Sequence, residues 1–315
     1  MGKKIIAMII GISIFNCIAI DQNIQQRIKK KLRSFFSFHK AEKINQQELP
    51  AASINSLSLR GIDGSVTIKT GSTKSLCIKT IIRARKQEDV DATTIAIDMI
   101  KNNHLAIATK CKNKKAVAMV DYELIVPETI NLSMKLLGKG SIVIKDVKGS
   151  INVVAQDSIA ISNTKKSVIA KTYNKGPISI INAFGPVDVV SCNGIIKGEK
   201  IAHSFRARSK KGKITIAYIG LPPEGTVDLK TESGAITLGL PSDTNAEIKA
   251  TTFRGTLTSD LYVTLHPYTT QLNTSAWNKF KREVDGILGF GQATINLQST
   301  KGNIVITNNN AITHH

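Results

Sequence analysis

Short runs of alternating apolar and polar residues recur along the middle of the chain at intervals of nine residues. Gly176–Ile180 and Gly185–Val189 show the unit clearly: a glycine and one further residue precede two apolar residues that flank a polar one. A period of two and an abundance of β-branched residues are typical of a half-buried strand. The rest of each unit is rich in Asn, Asp, Lys, Ser and Thr, which favour turns. Each unit is therefore predicted to form one short strand and one corner.

The apolar positions form a column through nine consecutive units. Counted in nines from Gly140, the first position is glycine in six of nine units, and the position two residues later is always apolar. The members of this column are Ile142, Ile151, Ala160, Ile169, Ile178, Val187, Ile196, Phe205 and Ile214. Such a column is typical of stacked repeats, because each unit buries its face against the next. Around Ile159 and Val168 the pattern fits better one residue earlier.

The repeat leaves two all-β architectures open. A parallel β-solenoid, that is, a single-stranded β-helix with nine-residue strand-and-corner units, is favoured because successive units resemble one another. An antiparallel β-sandwich is the alternative, since strands spaced by about 8 to 12 residues also occur in that fold. The recurring glycine is expected to supply a tight bend or a left-handed backbone at the corner.

The same pattern divides the chain into five parts. Residues 51–130 are strand-rich with longer connections, and terminal repeats must hide a strand edge, so these residues are expected to cap the stack or to form a separate small domain. The full division is a signal peptide at 1–19, a basic linker or membrane-proximal segment at 20–50, irregular N-terminal rungs at 51–130, the repeat solenoid at 131–307 and a disordered tail at 308–315.

Several segments share their glycine and alternation patterns with a known family. They are Val120–Pro127, Gly140–Ile142, Thr231–Ile236, Gly289–Gly291 and Thr300–Ile304. Over about residues 51 to 307 the chain resembles the bacterial putative adhesin domain family, exported repeat-β proteins related to the head domain of putative autotransporter adhesins. The resemblance implies a parallel single-chain β-solenoid, an adhesin-like role and no catalytic residues.

The first residues indicate export. Lys3 and Lys4 precede an eleven-residue apolar run, Ile5–Phe15, and Cys17–Ala19 offers a small-residue cleavage site, as in a signal peptide. The expected location is therefore the periplasm, the cell envelope or the cell surface. Acylation of Cys17 after cleavage is an alternative, although the residues before Cys17 are not the small ones that a lipoprotein signal has.

An uncleaved membrane anchor is also open. Arg27, Lys29, Lys30, Lys31 and Arg33 follow the apolar segment, and by the charge bias of membrane insertion they resist translocation. The apolar segment from residue 5 to residue 20 is sixteen residues long, which is short for a span of about 20. In an anchored form, the phenylalanines among these cations would lie along an anionic lipid surface.

Net charge adds a candidate binding surface. The chain has 43 Lys and Arg against 23 Asp and Glu, a net charge of +20, and the surplus continues beyond residue 50. A basic exported surface attracts acidic glycans or anionic lipid. The candidate polyanion-binding residues are Arg206, Arg208, Lys210, Lys211 and Lys213. A solely structural role is the alternative, because corner lysines solvate turns and discourage edge pairing. Nucleic acid is disfavoured as the partner, since no aromatic residues interleave with these cations to stack bases.

No pattern in the chain predicts catalysis, a cofactor or a metal. Cys77, Cys111 and Cys192 are odd in number and lack metal-ligand spacing; Cys77 and Cys111 are expected either to pair or to be buried thiols. The Gly-Gly-x-Gly-x-Asp corners of calcium-binding β-rolls are absent from the sequence. Asp188 and Asp228 are predicted to point outward without forming an acidic cluster.

The expected function is an exported, non-catalytic, adhesin-like or envelope-associated binding scaffold. Two alternatives stay open: a β-helix enzyme that acts on polysaccharides, which would need paired carboxylates about 5 to 9.5 Å apart, and a membrane-anchored protein that binds polyanions. Low aromatic content, 5%, favours a narrow aliphatic interior over an aromatic-lined pocket.

Overall fold

The computed structural model describes residues 41–51, 54–71, 74–101, 103–112, 117–266 and 282–309. The predicted signal peptide, its alternatives, and most of the predicted linker and tail lie outside these residues.

The described residues form strands and one short helix. The helix α1 is Gln87–Asp91, and the strands are β1 Ala41–Pro50, β2 Ser56–Gly61, β3 Val66–Thr70, β4 Ser75–Ala84, β5 Thr93–Ile100, β6 His104–Cys111, β7 Ala118–Val126, β8 Asn131–Leu136, β9 Ile142–Lys145, β10 Ile151–Ala155, β11 Ile159–Thr164, β12 Val168–Thr172, β13 Ile178–Ala183, β14 Val187–Ser191, β15 Ile196–Ile201, β16 Phe205–Ser209, β17 Ile214–Tyr218, β18 Thr226–Thr231, β19 Ile236–Leu240, β20 Ala246–Thr252, β21 Leu257–Ser259, β22 Thr264–Leu265, β23 Arg282–Leu288, β24 Ala293–Ser299 and β25 Ile304–Asn308. No helix among the described residues has the length and apolar character needed to cross a membrane.

The strands form two sheets that face each other across one core. Sheet A has the order β1-β4-β7-β3-β9-β11-β13-β15-β17-β19-β25-β21, and sheet B has the order β22-β23-β20-β24-β18-β16-β14-β12-β10-β8-β2-β6-β5. From β8 to β20 the chain alternates between the sheets, and each strand pairs in parallel with the strand two further on or with an inserted one. One coil is therefore one strand of each sheet. The predicted parallel β-solenoid is confirmed.

The strand register shows where the nine-residue pattern shifts by one residue. Ile142 pairs with Ile159, and Ile159 with Ile178, so the earlier frame is correct at this point. Val168 is likewise buried, whereas the neighbouring Ile169 is 51% exposed. Two members of the predicted column, Ala160 and Ile169, therefore lie on the outer faces of the sheets. Coil lengths also vary, because Phe205 pairs with Val227, 22 residues later, while Ile142 and Ile159 are 17 apart.

The stack is not sequential at either end. The strands β24 and β25, the last two of the described chain, lie between the coil β18–β19 and the coil β20–β21. At the other end, β2–β3 stacks on β8–β9, and β6–β7 stacks outside β2–β3. In the part of the chain that the structure describes, antiparallel pairing, the alternative for the whole fold, is confined to these ends. Since β1 spans Ala41–Pro50, the predicted linker does not extend through residue 50.

The core consists mainly of aliphatic side chains from both sheets. Ile178 and Ile180 of sheet A face Val187 and Val189 of sheet B, and all four are buried. Burial of one such side chain contributes about 1.5–3 kcal/mol. Near the N-terminal end, burial raises the pKa of Tyr122 to about 12, although its hydroxyl also shares a hydrogen bond with Thr109. Tyr122 therefore stays neutral at physiological pH.

The glycines that open the strands of sheet A are required by close stacking of the corners. A Cβ atom on Gly194, Gly212 or Gly234 would overlap the carbonyl oxygen of the glycine in the adjacent coil, and none of the three has a left-handed backbone. The expected left-handed role is therefore wrong at these positions. At these three positions only glycine fits a corner that lies one strand spacing, about 4.8 Å, from the next coil.

Candidate functional site

The five predicted polyanion-binding residues lie on the outer face of sheet B and at the adjoining corner, and we call this region the basic edge. Arg206 and Arg208 are exposed on the outer face of sheet B, in β16. Lys210 and Lys211 occupy the corner that leads to sheet A, and Lys213 directly precedes β17. The structure thus brings all five side chains to the same region, but it gives the arginines and the lysines different surroundings.

The two arginines lie beside carboxylates. Arg206 stands opposite both Asp188 and Asp228 in the register. Its Nη1 is 3.7 Å from Asp188 Oδ2, and its Nε is 3.4 Å from Asp228 Oδ2. Arg208 Nη2 lies 3.7 Å from the same Asp228 oxygen. Exposed pairs of this kind contribute about 0–1 kcal/mol each, yet they reduce the positive charge that the arginines offer to a ligand.

The three lysines offer their full charge. Lys210, Lys211 and Lys213 are exposed, and none of them makes an ion pair with another described residue. Their backbone is held in place: the Lys210 N–H donates to the Cys192 carbonyl, and the Lys210 carbonyl accepts from Glu232 and Ser233. The cations are therefore presented on an ordered corner.

A buried hydroxyl fixes each corner of this type. Ser191, Ser209 and Thr231 end their strands of sheet B with the side chain inward. The hydroxyl oxygen of each accepts a hydrogen bond from the glycine N–H three residues later, at distances of 2.9, 2.9 and 3.1 Å. We call these the hydroxyl corners. They satisfy a buried N–H that would otherwise lack a partner.

Four further cations, not predicted as site residues, extend the basic edge along sheet B. Across successive strands, the residue before the last inward position is Arg60, Lys135, Val154, Lys171, Val190, Arg208 and Lys230. We call these seven residues the cation row. All five cations are exposed, and Lys171 Nζ lies 4.9 Å from the ring centre of Tyr173. The row was not predicted, because unequal coil lengths and the displaced coil β2–β3 separate its members irregularly in sequence.

The outward aspartates of sheet B are paired with an arginine. Asp188 and Asp228 point outward, as predicted, but Arg206 lies between them in the register and contacts both. They line an open depression of about 400 Å³ on sheet B, together with Ile169, Ser204 and Thr226. No group of three or more His, Cys, Asp or Glu suited to a metal occurs among the described residues.

A second polar cluster lies on sheet B near the N-terminal end. His104 Nδ1 is 2.8 Å from Ser56 Oγ, and Nε2 is 2.8 Å from Ser58 Oγ. Because both ring nitrogens are hydrogen-bonded by these hydroxyls, the imidazole is held in place. No carboxylate hydrogen bond to this ring occurs in the described part of the chain, so the cluster lacks the third member of a Ser-His-Asp triad.

The three cysteines among the described residues do not pair. Cys77, Cys111 and Cys192 are free and partly exposed. Cys77 belongs to β4 of sheet A and Cys111 to β6 of sheet B, so the two thiols lie in opposite sheets. Both expectations for these residues, a disulfide and a pair of buried thiols, are therefore wrong.

Comparisons with known proteins add likenesses to solved structures. No family profile and no curated protein matches the chain. A putative cell adhesion protein from Clostridium sporogenes is 11% identical, over 85% of this chain and 100% of that one, with a TM-score of 0.27. A putative adhesin from Bacteroides fragilis is 14% identical, over 84% and 97%, with a TM-score of 0.39. A putative lipid binding protein from Parabacteroides distasonis is 12% identical, over 84% and 96%, with a TM-score of 0.43.

Two of these names are adhesins, as in the family that the sequence resembles.

Proposed function

We propose that the chain is an exported, non-catalytic scaffold of the adhesin type, and that it binds acidic glycans of a cell envelope or surface through its basic edge. The observation that carries this proposal is the set of exposed lysines Lys210, Lys211 and Lys213, held on an ordered corner with no ion pair among the described residues. Solenoids commonly bind ligands across such extended surfaces.

The charge distribution favours many weak contacts over one pocket. The cations are exposed, and the depressions on sheet B are shallow and open. Affinity is therefore expected to fall steadily as salt rises, because exposed charges are screened beyond a Debye length of about 10 Å at 0.1 M. Steep salt dependence separates this mode from a defined pocket.

One experiment tests the ligand class. The protein purified from its cell fraction is titrated with an acidic glycan, a neutral glycan and anionic vesicles, at several salt concentrations. Charge reversal of Lys210, Lys211 and Lys213 together should weaken glycan binding by about tenfold or more. Reversal of Lys69, Lys165 and Lys166, which are exposed elsewhere, is the matched control. Equal loss in both variants, salt-insensitive binding or binding to vesicles alone would contradict the proposal.

A second experiment tests export. Cell fractionation followed by N-terminal analysis of the mature chain should find it outside the cytoplasm and cleaved near residue 19. An acylated Cys17 or an intact N-terminus would instead support the lipoprotein or the anchored alternative. Purification from the cytoplasm would contradict the proposed location.

A further inference from the structure

The cation row has a regular internal spacing. Lys135, Lys171 and Arg208 occupy every second strand of sheet B, in β8, β12 and β16. Neighbouring strands are about 4.8 Å apart, so the three cations recur at about 9.6 Å along the solenoid axis. The intervening strands β10 and β14 place Val154 and Val190 at the same level. The row therefore alternates charge with an apolar side chain.

Both ends of the row are also basic. Arg60 precedes Lys135 by one strand, and Lys230 follows Arg208 by one strand. Together the seven residues span six strand spacings, about 29 Å. The row contains no carboxylate; the nearest, Asp228, belongs to the next row and lies beside Arg208. A linear ligand along the axis would meet two adjacent cations at each end of the row, and alternating cations and valines between them.

We infer that this row binds a linear acidic polysaccharide in which acidic and neutral sugars alternate, laid parallel to the solenoid axis. An extended sugar residue advances by roughly one strand spacing. From β8 to β16 each acidic group would therefore meet a cation, while each neutral sugar would pack on Val154 or Val190. Arg60 and Lys230 lie just outside this alternating part. This inference rests on the proposed function and adds the ligand class and its orientation.

Other polyanions fit the row less well. A polymer with an acidic group on every sugar would place some charges over Val154 and Val190, where no cation answers them. A lipid surface presents its anionic groups without a fixed spacing along the solenoid axis. Charge complementarity with a defined spacing thus favours the alternating glycan over both.

The test compares two glycans of equal length, one with alternating acidic and neutral sugars and one with an acidic group on every sugar. Binding of the whole protein to each is measured at fixed salt, and the readout is the ratio of the two affinities. The variant Lys135→Gln/Lys171→Gln/Arg208→Gln should lose about tenfold or more in affinity for the alternating glycan. The control Lys69→Gln/Lys165→Gln/Lys166→Gln removes the same charge and should lose about threefold or less.

A second variant changes the spacing while keeping the existing cations. Val154→Lys/Val190→Lys puts a cation on each of the seven strands, and both positions are only half-buried. It should raise affinity for the uniformly acidic glycan more than for the alternating one, so the ratio should shift by about fivefold or more. Unchanged thermal melting of each variant shows that the fold is intact.

The outcomes separate this inference from the proposed function. The inference is overturned if each of the two cation-row variants, the triple Gln variant and the double Lys variant, changes the affinities for the two glycans by the same factor. Binding would then depend on total charge and not on the spacing of the cations. If only the variant at Lys210, Lys211 and Lys213 weakens binding, the proposed function stands and the cation row is not the site. If the unaltered protein binds neither glycan, or binds only anionic vesicles, both are wrong.

Discussion

The two kinds of corner in this solenoid solve the same problem with different chemistry. At the hydroxyl corners, where the chain passes from sheet B to sheet A, a glycine fits against its neighbour and a buried hydroxyl caps its N–H. On the opposite edge, Asp146, Asn163, Asn182 and Lys200 adopt left-handed backbone, with φ of 63°, 58°, 58° and 54°. The corners on that edge depend on a left-handed backbone. The hydroxyl corners depend on a residue without a side chain, because a Cβ atom there would overlap the adjacent coil.

Side-chain amides hold the left-handed positions together. Asn163 Nδ2 donates to Asp146 Oδ1 at 2.6 Å, and Asn182 Nδ2 donates to Asn163 Oδ1 at 2.8 Å. Asn and Asp adopt left-handed backbone more readily than other non-glycine residues. We call these the amide corners. The comparison shows that a repeat can retain its period while its two edges tolerate different substitutions.

The largest expected effect is the loss of stability when a methyl group is added at a closely stacked corner. Gly212→Ala puts a methyl group against the Gly194 carbonyl and should destabilise the fold by roughly 3 kcal/mol. Gly220 lies on the opposite edge with no atom within 4 Å of an added Cβ, so Gly220→Ala should be nearly neutral. Thermal or denaturant melts of the two variants check this. Similar melting would show that close stacking does not explain the glycine.

Removal of one hydroxyl should have the next largest effect. Ser209→Ala leaves the buried Gly212 N–H without its acceptor and should cost about 1–3 kcal/mol. Ser209→Thr retains the oxygen, and threonine already occupies the equivalent position at Thr231, so it serves as the control. Urea titration measures the free energy of unfolding of both variants, and the two values are compared when the m-values are equal. If the Ser209→Ala protein were as stable as the unaltered one, the Ser209 hydroxyl would not stabilise the corner.

Loss of one amide should destabilise the other edge by a smaller amount. Asn163→Ala removes the hydrogen bonds to Asp146 and from Asn182 and puts alanine in a left-handed conformation, for a total of about 1–2 kcal/mol. Asn163→Gly removes the same hydrogen bonds without the conformational penalty. In chemical denaturation the Asn163→Ala variant should therefore have a lower free energy of unfolding than the Asn163→Gly variant. The reverse order would show that conformation does not limit this corner.

The smallest expected effect is a gain. Lys200 is left-handed but cannot continue the amide ladder in the way an asparagine would. Lys200→Asn suits the backbone better and should raise stability by about 0.5–1 kcal/mol, visible as a higher melting temperature. Lys165→Asn, on the same edge without left-handed backbone, is the control and should change little. A gain of equal size at Lys165 would point to charge reduction as the cause.

Much of the architecture could be predicted, because period-two alternation depends on the strand itself. The inward role of Ile178 and the outward role of Ser179 needed only the local pattern, and both are confirmed. Gly194 shows the limit: a sequence shows that glycine is needed but not whether φ or space requires it. The exchanged coil order at both ends is non-local, so no pattern along the chain could predict it.

The candidate site was predictable in part for the same reason. Lys210 and Lys211 are adjacent in sequence, so their shared corner follows from the repeat. The sequence does not predict that Arg206, unlike these lysines, lies beside carboxylates, because Asp188 and Asp228 belong to neighbouring coils. The cation row joins Arg60 to residues more than seventy positions later, and that register exists only once the coils have stacked.

The insertion of β24–β25 into the stack makes the fold sensitive to truncation before these strands. They are synthesised after the coils on both sides of them, yet they separate β18–β19 from β20–β21. A chain that ends before residue 293 leaves the open edges of both neighbouring coils without their partner. Unpaired edges invite pairing with other chains and expose backbone to proteases. The stack can therefore close only after the chain has been synthesised through Asn308.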